Sequence, residues 1–283
     1  MSTKLVAMVY PLFLLLTASG AQAAGQHKGN GEKSQSGWWK RAERIHAIQP
    51  HWITPVVTTT PLLVEEFRFD ASRADVAGNA ATVSFFNGKG LELIPTEHTE
   101  VIAGVPGYFS SGAAGARSSW GDFPMLLKYR IRSAPAREGN YVLSLFLGAT
   151  FPTGTNGHSA GKVVLSPAMA FGKGWGDFDV QGTFGTAVPA GTWERLGTPF
   201  LLNMAFQYRV LERFWPEVEV NTTAWPNGAD SGKKETFLTP GIVVGRIPLR
   251  GRVGLVVGTG VQIAATHFHR SNHNLILTVR FPF

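Results

Sequence analysis

Apolar and polar residues alternate along most of the chain after Pro61. In the segment GDFPMLLKYRIR, every second residue from Phe123 to Ile131 is large and apolar, and the residues between them include several cations. A period of two places one set of side chains on each face of a β-strand. The sequence therefore predicts a β protein whose strands have one apolar face and one charged face.

We predict twelve strands from this alternation and from the turn residues that interrupt it. They span roughly 61–70, 88–95, 99–106, 121–133, 139–152, 161–172, 176–188, 198–210, 214–224, 235–246, 251–264 and 273–283. Most are close to the 9–11 residues that a tilted strand needs to cross a bilayer.

The connections between these strands alternate in length. The predicted short ones lie near 96–98, 134–138, 173–175, 211–213 and 247–250, and the long ones at about 71–87, 107–120, 153–160, 189–197, 225–234 and 265–272. Bacterial outer-membrane barrels have short periplasmic turns, long external loops and an even number of strands. The loop pattern therefore favours such a barrel.

The predicted fold is all-β, an antiparallel transmembrane β-barrel of about 12 strands, with 10 or 14 as alternatives. Lipid offers no partners to backbone polar groups, so a membrane sheet must close on itself, and the last strand must pair with the first. A secreted β-sandwich would also alternate. Aromatic residues near both ends of the strands favour the barrel, because two aromatic girdles are typical of it. The proposed girdles hold Tyr108, Phe109, Trp120, Trp193 and Trp225 at the outer rim and Tyr129, Trp175, Tyr208, Phe214 and Trp215 at the inner rim.

The first residues have the pattern of a secretory signal peptide. Lys4 precedes an apolar stretch that ends at Leu16, and small residues follow up to Ala23. This stretch is shorter than the roughly 20 residues of a membrane-spanning helix. We therefore expect cleavage between Ala23 and Ala24, which divides the chain into a signal peptide (1–23), a flexible periplasmic arm (24–60) and the barrel (61–283).

Two further features of the arm and of the composition bear on function. Trp38, Trp39 and Trp52 could lie at a membrane boundary, or the arm could be a simple linker.

The chain has no cysteine, which excludes disulfides and thiol chemistry, and its net charge is +7. No long basic run is interleaved with aromatic residues, so nucleic acid is not a predicted partner.

Several stretches together resemble a family of outer-membrane transporters associated with the meta-cleavage pathway of phenol degradation. The most specific are FPTG at 151–154 and GKGWGDFDVQ at 172–181, and the resemblance covers most of residues 55–283. It implies a barrel of this size that takes up aromatic or hydrophobic compounds, without a catalytic signature. The carboxy-terminal strand, with Phe281 and Phe283, also resembles the signal that the barrel-assembly machinery recognises.

The polar face of the strands supplies the candidate site. Residues expected to point into the lumen are Glu66, Arg68, Lys128, Arg130, Arg132, Asp177, Asp179, Arg209, Glu217, Glu219, Arg252 and Arg280. They could form a selectivity lining or a set of ion pairs that fills a narrow barrel. Arg209 and Glu217 lie on neighbouring strands and could pair. Cations slightly outnumber acids, which weakly favours anionic or neutral solutes.

Other candidate chemistry is weaker. His267, His269 and His273 have a spacing that could bind a metal, but an exposed polar loop explains them better. A lipid hydrolase could use Ser144, Ser166 or His267, although no orienting group is evident from the spacing. We therefore predict no enzyme, no catalytic residue and no cofactor. The expected function is a channel for passive uptake of small solutes. The alternatives are a plugged structural barrel and an outer-membrane lipid hydrolase. The expected partners are outer-membrane lipid, the barrel-assembly machinery and a small-molecule solute.

Overall fold

A computed structural model describes residues 30–75, 81–112, 116–155, 157–191 and 193–283. The predicted signal peptide and its cleavage position lie outside the described residues. A helix, α1 (Asn30–Ala47), comes first, and no helix among the described residues is long and apolar enough to cross a membrane.

The rest of the described chain is mostly strand. The strands are β1 (Glu66–Asp75), β2 (Thr82–Phe85), β3 (Gly90–Leu93), β4 (Thr99–Gly104), β5 (Tyr108–Ser111), β6 (Ser119–Trp120), β7 (Phe123–Ala134), β8 (Tyr141–Phe151), β9 (Val164–Trp175), β10 (Phe178–Thr186), β11 (Val188–Pro189), β12 (Phe200–Tyr208), β13 (Phe214–Ala224), β14 (Lys234–Arg250), β15 (Val253–Ala264) and β16 (His273–Pro282). A one-turn helix, Trp193–Leu196, lies between β11 and β12.

These strands form one closed antiparallel barrel. Local irregularities split four wall strands into the pairs β2–β3, β4–β5, β6–β7 and β10–β11, so the wall contains twelve strands. β1 pairs with β16 from Glu66↔Pro282 to Asp75↔His273, which closes the sheet. The predicted twelve-stranded antiparallel barrel is confirmed.

The outer surface of the barrel is apolar. Leu145, Phe184 and Leu277 are each more than 40% exposed although each lies in the middle of a strand. In a soluble sandwich this face would be buried between two sheets. The exposed apolar band and the closed sheet therefore exclude the sandwich alternative.

The aromatic residues at the strand ends fit the predicted girdles only in part. Trp120 and Trp193 at one end and Trp175 and Tyr208 at the other are exposed. In contrast, Trp215 and Trp225 are each only 5% exposed. Trp215 packs against Val243 on the inside of the wall. Strand parity turns Trp215 inward, whereas Trp225 lies just beyond the end of β13 and is covered by Phe268 and Arg270 of the last long loop. The assignment of both residues to the girdles was wrong.

The first wall strands lie elsewhere than predicted. β1 begins at Glu66, because its register with β16 starts at Pro282, whereas the sequence predicted a strand from Pro61. The second wall strand begins at Thr82 instead of 88. The connections still alternate in length, except that 76–81 and 135–140 have six residues each.

Candidate functional site: the barrel lumen

Residues 41–65, here called the lumen segment, run through the inside of the barrel. They were predicted to belong to a flexible arm up to residue 60 and to the first wall strand from residue 61. Ile45, Gln49 and Leu63 are almost completely buried. The flexible-arm prediction is wrong for residues 41–60, because the wall supplies hydrogen-bond partners that no local sequence pattern reveals.

Two glutamates of β13 hold the backbone N–H groups at the centre of the lumen segment. Val56 N donates to Glu217 Oε1 at 2.9 Å, and Val57 N donates to Glu219 Oε1 at 2.6 Å. Thr58 N donates to the second carboxylate oxygen of Glu219 at 2.5 Å. Three successive N–H groups therefore face one acidic strand.

Two arginines hold the carbonyl groups of the same stretch. Arg280 of β16 donates to the carbonyl oxygen of Thr54 and, at 2.6 Å, to that of Pro55. Arg68 of β1 donates to Val56 O. Charged groups make stronger hydrogen bonds than neutral ones. Residues 54–58 are thus bound through their backbone, with carboxylates accepting from the N–H groups and guanidinium groups donating to the carbonyl groups.

A buried ion pair lies beside the next part of the lumen segment. Lys128 Nζ is 2.7 Å from Glu100 Oε1, and both side chains are fully buried. Glu100 also accepts from Val64 N at 2.6 Å, and Lys128 donates to Leu62 O at 3.3 Å. This ion pair therefore binds both the wall and the lumen segment.

Polar side chains of other wall strands make further contacts with the lumen segment. Gln181 accepts from the Thr60 hydroxyl at 2.6 Å and donates to Ile53 O at 2.9 Å. Ser144 Oγ donates to Pro61 O at 2.8 Å. Because Ser144 is buried and engaged there, it does not act as an outward-facing nucleophile.

Glycines in β9 make room for Trp52 of the lumen segment. A Cβ added at Gly172 would lie 2.5 Å from the Trp52 ring, and one at Gly174 would lie 2.7 Å from Trp52 Nε1. Trp52 is therefore inside the barrel, and its predicted position at a membrane boundary was wrong. The GKGW motif contributes the space that this side chain needs.

The start of the lumen segment is tied to the end of the barrel that has the short connections, here called the short-turn rim. Arg44 pairs with Glu97 at 2.9 Å, and Glu43 pairs with Arg252 of the β14–β15 turn. Ser133 also donates to Ile48 O at 2.6 Å. Contacts on different wall strands thus hold residues 43–48 at this rim.

Most of the predicted lumen residues lie inside the barrel. Glu66, Arg68, Lys128, Arg130, Asp179, Glu217, Glu219 and Arg280 are each at most 4% exposed. Strand parity places them there, because their neighbours along each strand point outward.

Four predicted lumen residues lie elsewhere. A bulge between Arg130 and Arg132 shifts the register, so Arg132 points outward. Asp177 and Arg209 lie beyond the ends of their strands and pair with each other near the surface. Arg252 lies in a turn, where alternation no longer sets direction.

The predicted Arg209–Glu217 pair is absent. Glu217 instead accepts from Gln207 Nε2 at 2.6 Å. Sequence reasoning also missed Glu92 and Glu100, which face inward from β3 and β4. Their alternation with apolar residues was the available signal, but the strands are short and the pattern there is weak.

The three histidines of the last long loop do not form a metal site. Among the described residues, no group of three or more His, Asp or Glu side chains is arranged to hold a metal ion. His269 has both ring nitrogens near oxygens, with Nδ1 2.9 Å from Thr266 O and Nε2 2.8 Å from Asn272 Oδ1. Its ring therefore orders the loop.

These contacts predict a pH-dependent loop. The Thr266 carbonyl and then the Asn272 side chain raise the pKa of His269, because both favour a ring protonated on both nitrogens. The stabilising effect is complete below the unfolded pKa and is lost as pH rises through the folded pKa. An NMR titration of histidine-labelled protein in micelles should show His269 titrating above the ordinary value of about 6.5. Asn272→Ala should lower the pKa of His269. An unchanged pKa in this variant would contradict the assignment.

Comparison with known proteins defines the fold of the chain. No protein-family model matches it, and no curated protein matches it. The resemblance to the phenol-pathway family therefore stays a prediction. Among solved structures, an outer-membrane channel from Pseudomonas putida F1 superposes with a TM-score of 0.58 at 12% identity, covering 82% of this chain and 100% of that chain. The KdgM porin gives a TM-score of 0.48 at 7% identity, covering 76% of this chain and 99% of that chain. The chain thus has the fold of an outer-membrane β-barrel.

Proposed function

We propose that this protein is an outer-membrane channel for the passive movement of small solutes, and that the lumen segment closes it. The observation that carries this proposal is the chemistry of the lumen. Charged side chains of the wall hold the lumen segment mainly by hydrogen bonds to its backbone. Water or a polar solute can replace such contacts, whereas a fully apolar core would exclude both.

Apolar packing also holds the lumen segment, through two small clusters, and Trp52, Ile53 and Val57 pack against the larger one. One cluster joins Val56 to Trp215, Val243, Val256 and Ile276, and a smaller one joins Ile45, Leu63 and Ile94. Most of the remaining inner wall is polar. This composition supports a segment that can leave or rearrange without disrupting the barrel wall.

The solutes that we propose are small and hydrophobic or aromatic, as the sequence resemblance implies. The solved structure with the higher TM-score is itself described as an outer-membrane channel. We place this protein in the bacterial outer membrane, exported through a cleaved signal peptide. The apolar exterior is the surface that lipid would cover. The last strand, with Phe281 and Phe283, would be the part that the barrel-assembly machinery recognises.

A plugged structural barrel is the second candidate function. It is favoured by one observation, that the lumen segment occupies the lumen along residues 41–65. The two functions differ in whether this segment moves, so an experiment on its movement separates them.

A lipid hydrolase has less support. Ser144 is buried, and its hydroxyl donates to Pro61 O and not to a histidine. At the end of the barrel with the long loops, Ser119 Oγ lies 2.6 Å from His158 Nδ1. Ser119 is only 2% exposed. An ester in the surrounding lipid could not reach this hydroxyl, so we do not propose hydrolysis.

A reversible cross-link tests the channel. Asn221 Nδ2 lies 3.4 Å from Thr58 Oγ1, and the chain has no cysteine of its own. We expect Thr58→Cys/Asn221→Cys, linked by oxidation or by a short thiol cross-linker, to show no conductance steps in planar bilayers. Reduction should restore the steps, because the lumen segment can then move.

The matched control is Thr58→Cys alone. It also loses the hydrogen bond between Asn221 and Thr58, but it cannot form the cross-link. Equal conductance of the linked and reduced forms would mean that the lumen segment does not gate the pore. Silence of every form, with the barrel folded, would support the structural alternative.

A further inference from the structure

A cavity lies at the short-turn rim of the barrel. It has a volume of about 630 Å³, and the lumen segment forms one wall with Ala42, Glu43, His46, Ala47 and His51. The opposite wall consists of Arg246, Pro248, Gly251, Arg252, Val253 and Phe283. We call this cavity the rim pocket. Its volume is in the range of pockets that bind small molecules.

The charge of Arg246 is not matched inside the rim pocket. Arg246 Nη2 donates to the carbonyl oxygens of Arg252 and Pro282. Among the described residues, no carboxylate lies within ion-pair distance of Arg246, whereas Arg252 is paired with Glu43.

The rest of the lining mixes charged, polar and apolar side chains, and its other full charges, those of Glu43 and Arg252, pair with each other. Its apolar side chains include Ala47 of α1 and, on the wall, Pro248 and Val253. Arg246 and His51 contribute polar groups at different points of the lining. The guanidinium of Arg246, which has no ion-pair partner among the described residues of the pocket, lies beside Pro248 and Val253, and this arrangement fits a ligand with one anionic group and an apolar body.

We propose that the rim pocket binds a small carboxylate with an aromatic or short aliphatic body. The carboxylate would pair with the guanidinium of Arg246, whose planar donors match carboxylate oxygens. The body would lie against Pro248 and Val253. A ligand in this position touches both the lumen segment and the wall, so its binding stabilises the segment in its closed position.

Benzoate is the probe for this proposal, with benzyl alcohol as its neutral counterpart and acetate as an anion without the apolar body. The full chain in detergent micelles should bind benzoate saturably in calorimetry, and should bind each counterpart at least tenfold more weakly. Arg246→Gln should weaken benzoate binding by at least tenfold. Arg250→Gln, on the same strand but outside the lining, is the matched control and should leave it unchanged.

A second variant keeps the test decisive if Arg246→Gln does not fold. Ala47→Phe fills the pocket without removing the cation and should also abolish saturable binding. Saturating benzoate should slow hydrogen exchange of residues 42–51 in the wild-type protein. The proposal is overturned if benzyl alcohol binds as well as benzoate, if the folded variants bind as the wild type does, or if no saturable binding occurs. This assay measures binding and not conductance. The rim pocket could therefore fail to bind benzoate in a protein that conducts, and it could bind benzoate in a protein that does not conduct.

Discussion

Deleting residues 41–60 is expected to convert a closed barrel into an open one. β1 begins at Glu66, and its pairing with β16 does not involve the deleted residues, so the wall should still close. The groups that now bind the segment, Arg68, Arg280, Glu217 and Glu219, would become hydrated. Single-channel recording in planar bilayers should show steps several-fold larger than any in the full chain.

A shorter deletion, of residues 25–29, is the control for shortening the amino-terminus. It should leave conductance as in the full chain, because residues 41–65 are retained. Heat-dependent migration on gels would verify that each barrel is folded. A folded deletion variant without conductance would mean that the lumen closes by other groups, and the proposed channel function would fail.

Replacing Lys128 by methionine should cause the largest loss of stability of any single substitution considered. Lys128 lies 2.7 Å from Glu100 and 4.0 Å from Glu92, and all three side chains are buried. Removing one partner of a buried ion pair leaves an uncompensated charge and costs about 3–5 kcal/mol. Urea unfolding of the barrel in detergent, followed by tryptophan fluorescence, would measure the loss.

A second substitution identifies the cause of that loss. Glu100→Gln combined with Lys128→Met also removes the carboxylate that Lys128→Met leaves without its partner. The double variant should recover a large part of the stability. Lys173→Met, at a partly exposed position on β9, should change stability by about 0.5 kcal/mol or less. If Lys128→Met unfolded at the same urea concentration as Lys173→Met, the ion pair would have no structural role.

The alternation of residues determined the strands with long, regular patterns. β7 was predicted at 121–133 and is found at Phe123–Ala134, and β13 was predicted at its observed bounds. Such strands have one face in contact with the apolar surroundings and one in the lumen, so period two is imposed along their whole length. The first strand was misplaced because the apolar residues 61–64 continue into the pattern of β1. Only the register with β16 shows where the wall begins.

The direction of the charged side chains was predictable within strands and failed outside them. Lys128, Glu219 and Arg280 face inward because each lies in a regular strand. Arg132 follows a bulge and Arg209 follows the end of β12, so parity no longer determined their direction.

The sequence by itself determined a closed β-barrel with an apolar exterior and a charged interior, because both follow from the local period. Only the tertiary structure decided what fills that interior. Val56 and Glu217 are 161 positions apart, and the wall binds this part of the lumen segment through its backbone. A backbone contact imposes no pattern on the side chains of the bound segment. The side chains of residues 54–58 therefore do not predict that the wall binds them. The lumen segment and the rim pocket that it forms with the wall therefore exist only once the barrel has closed around them.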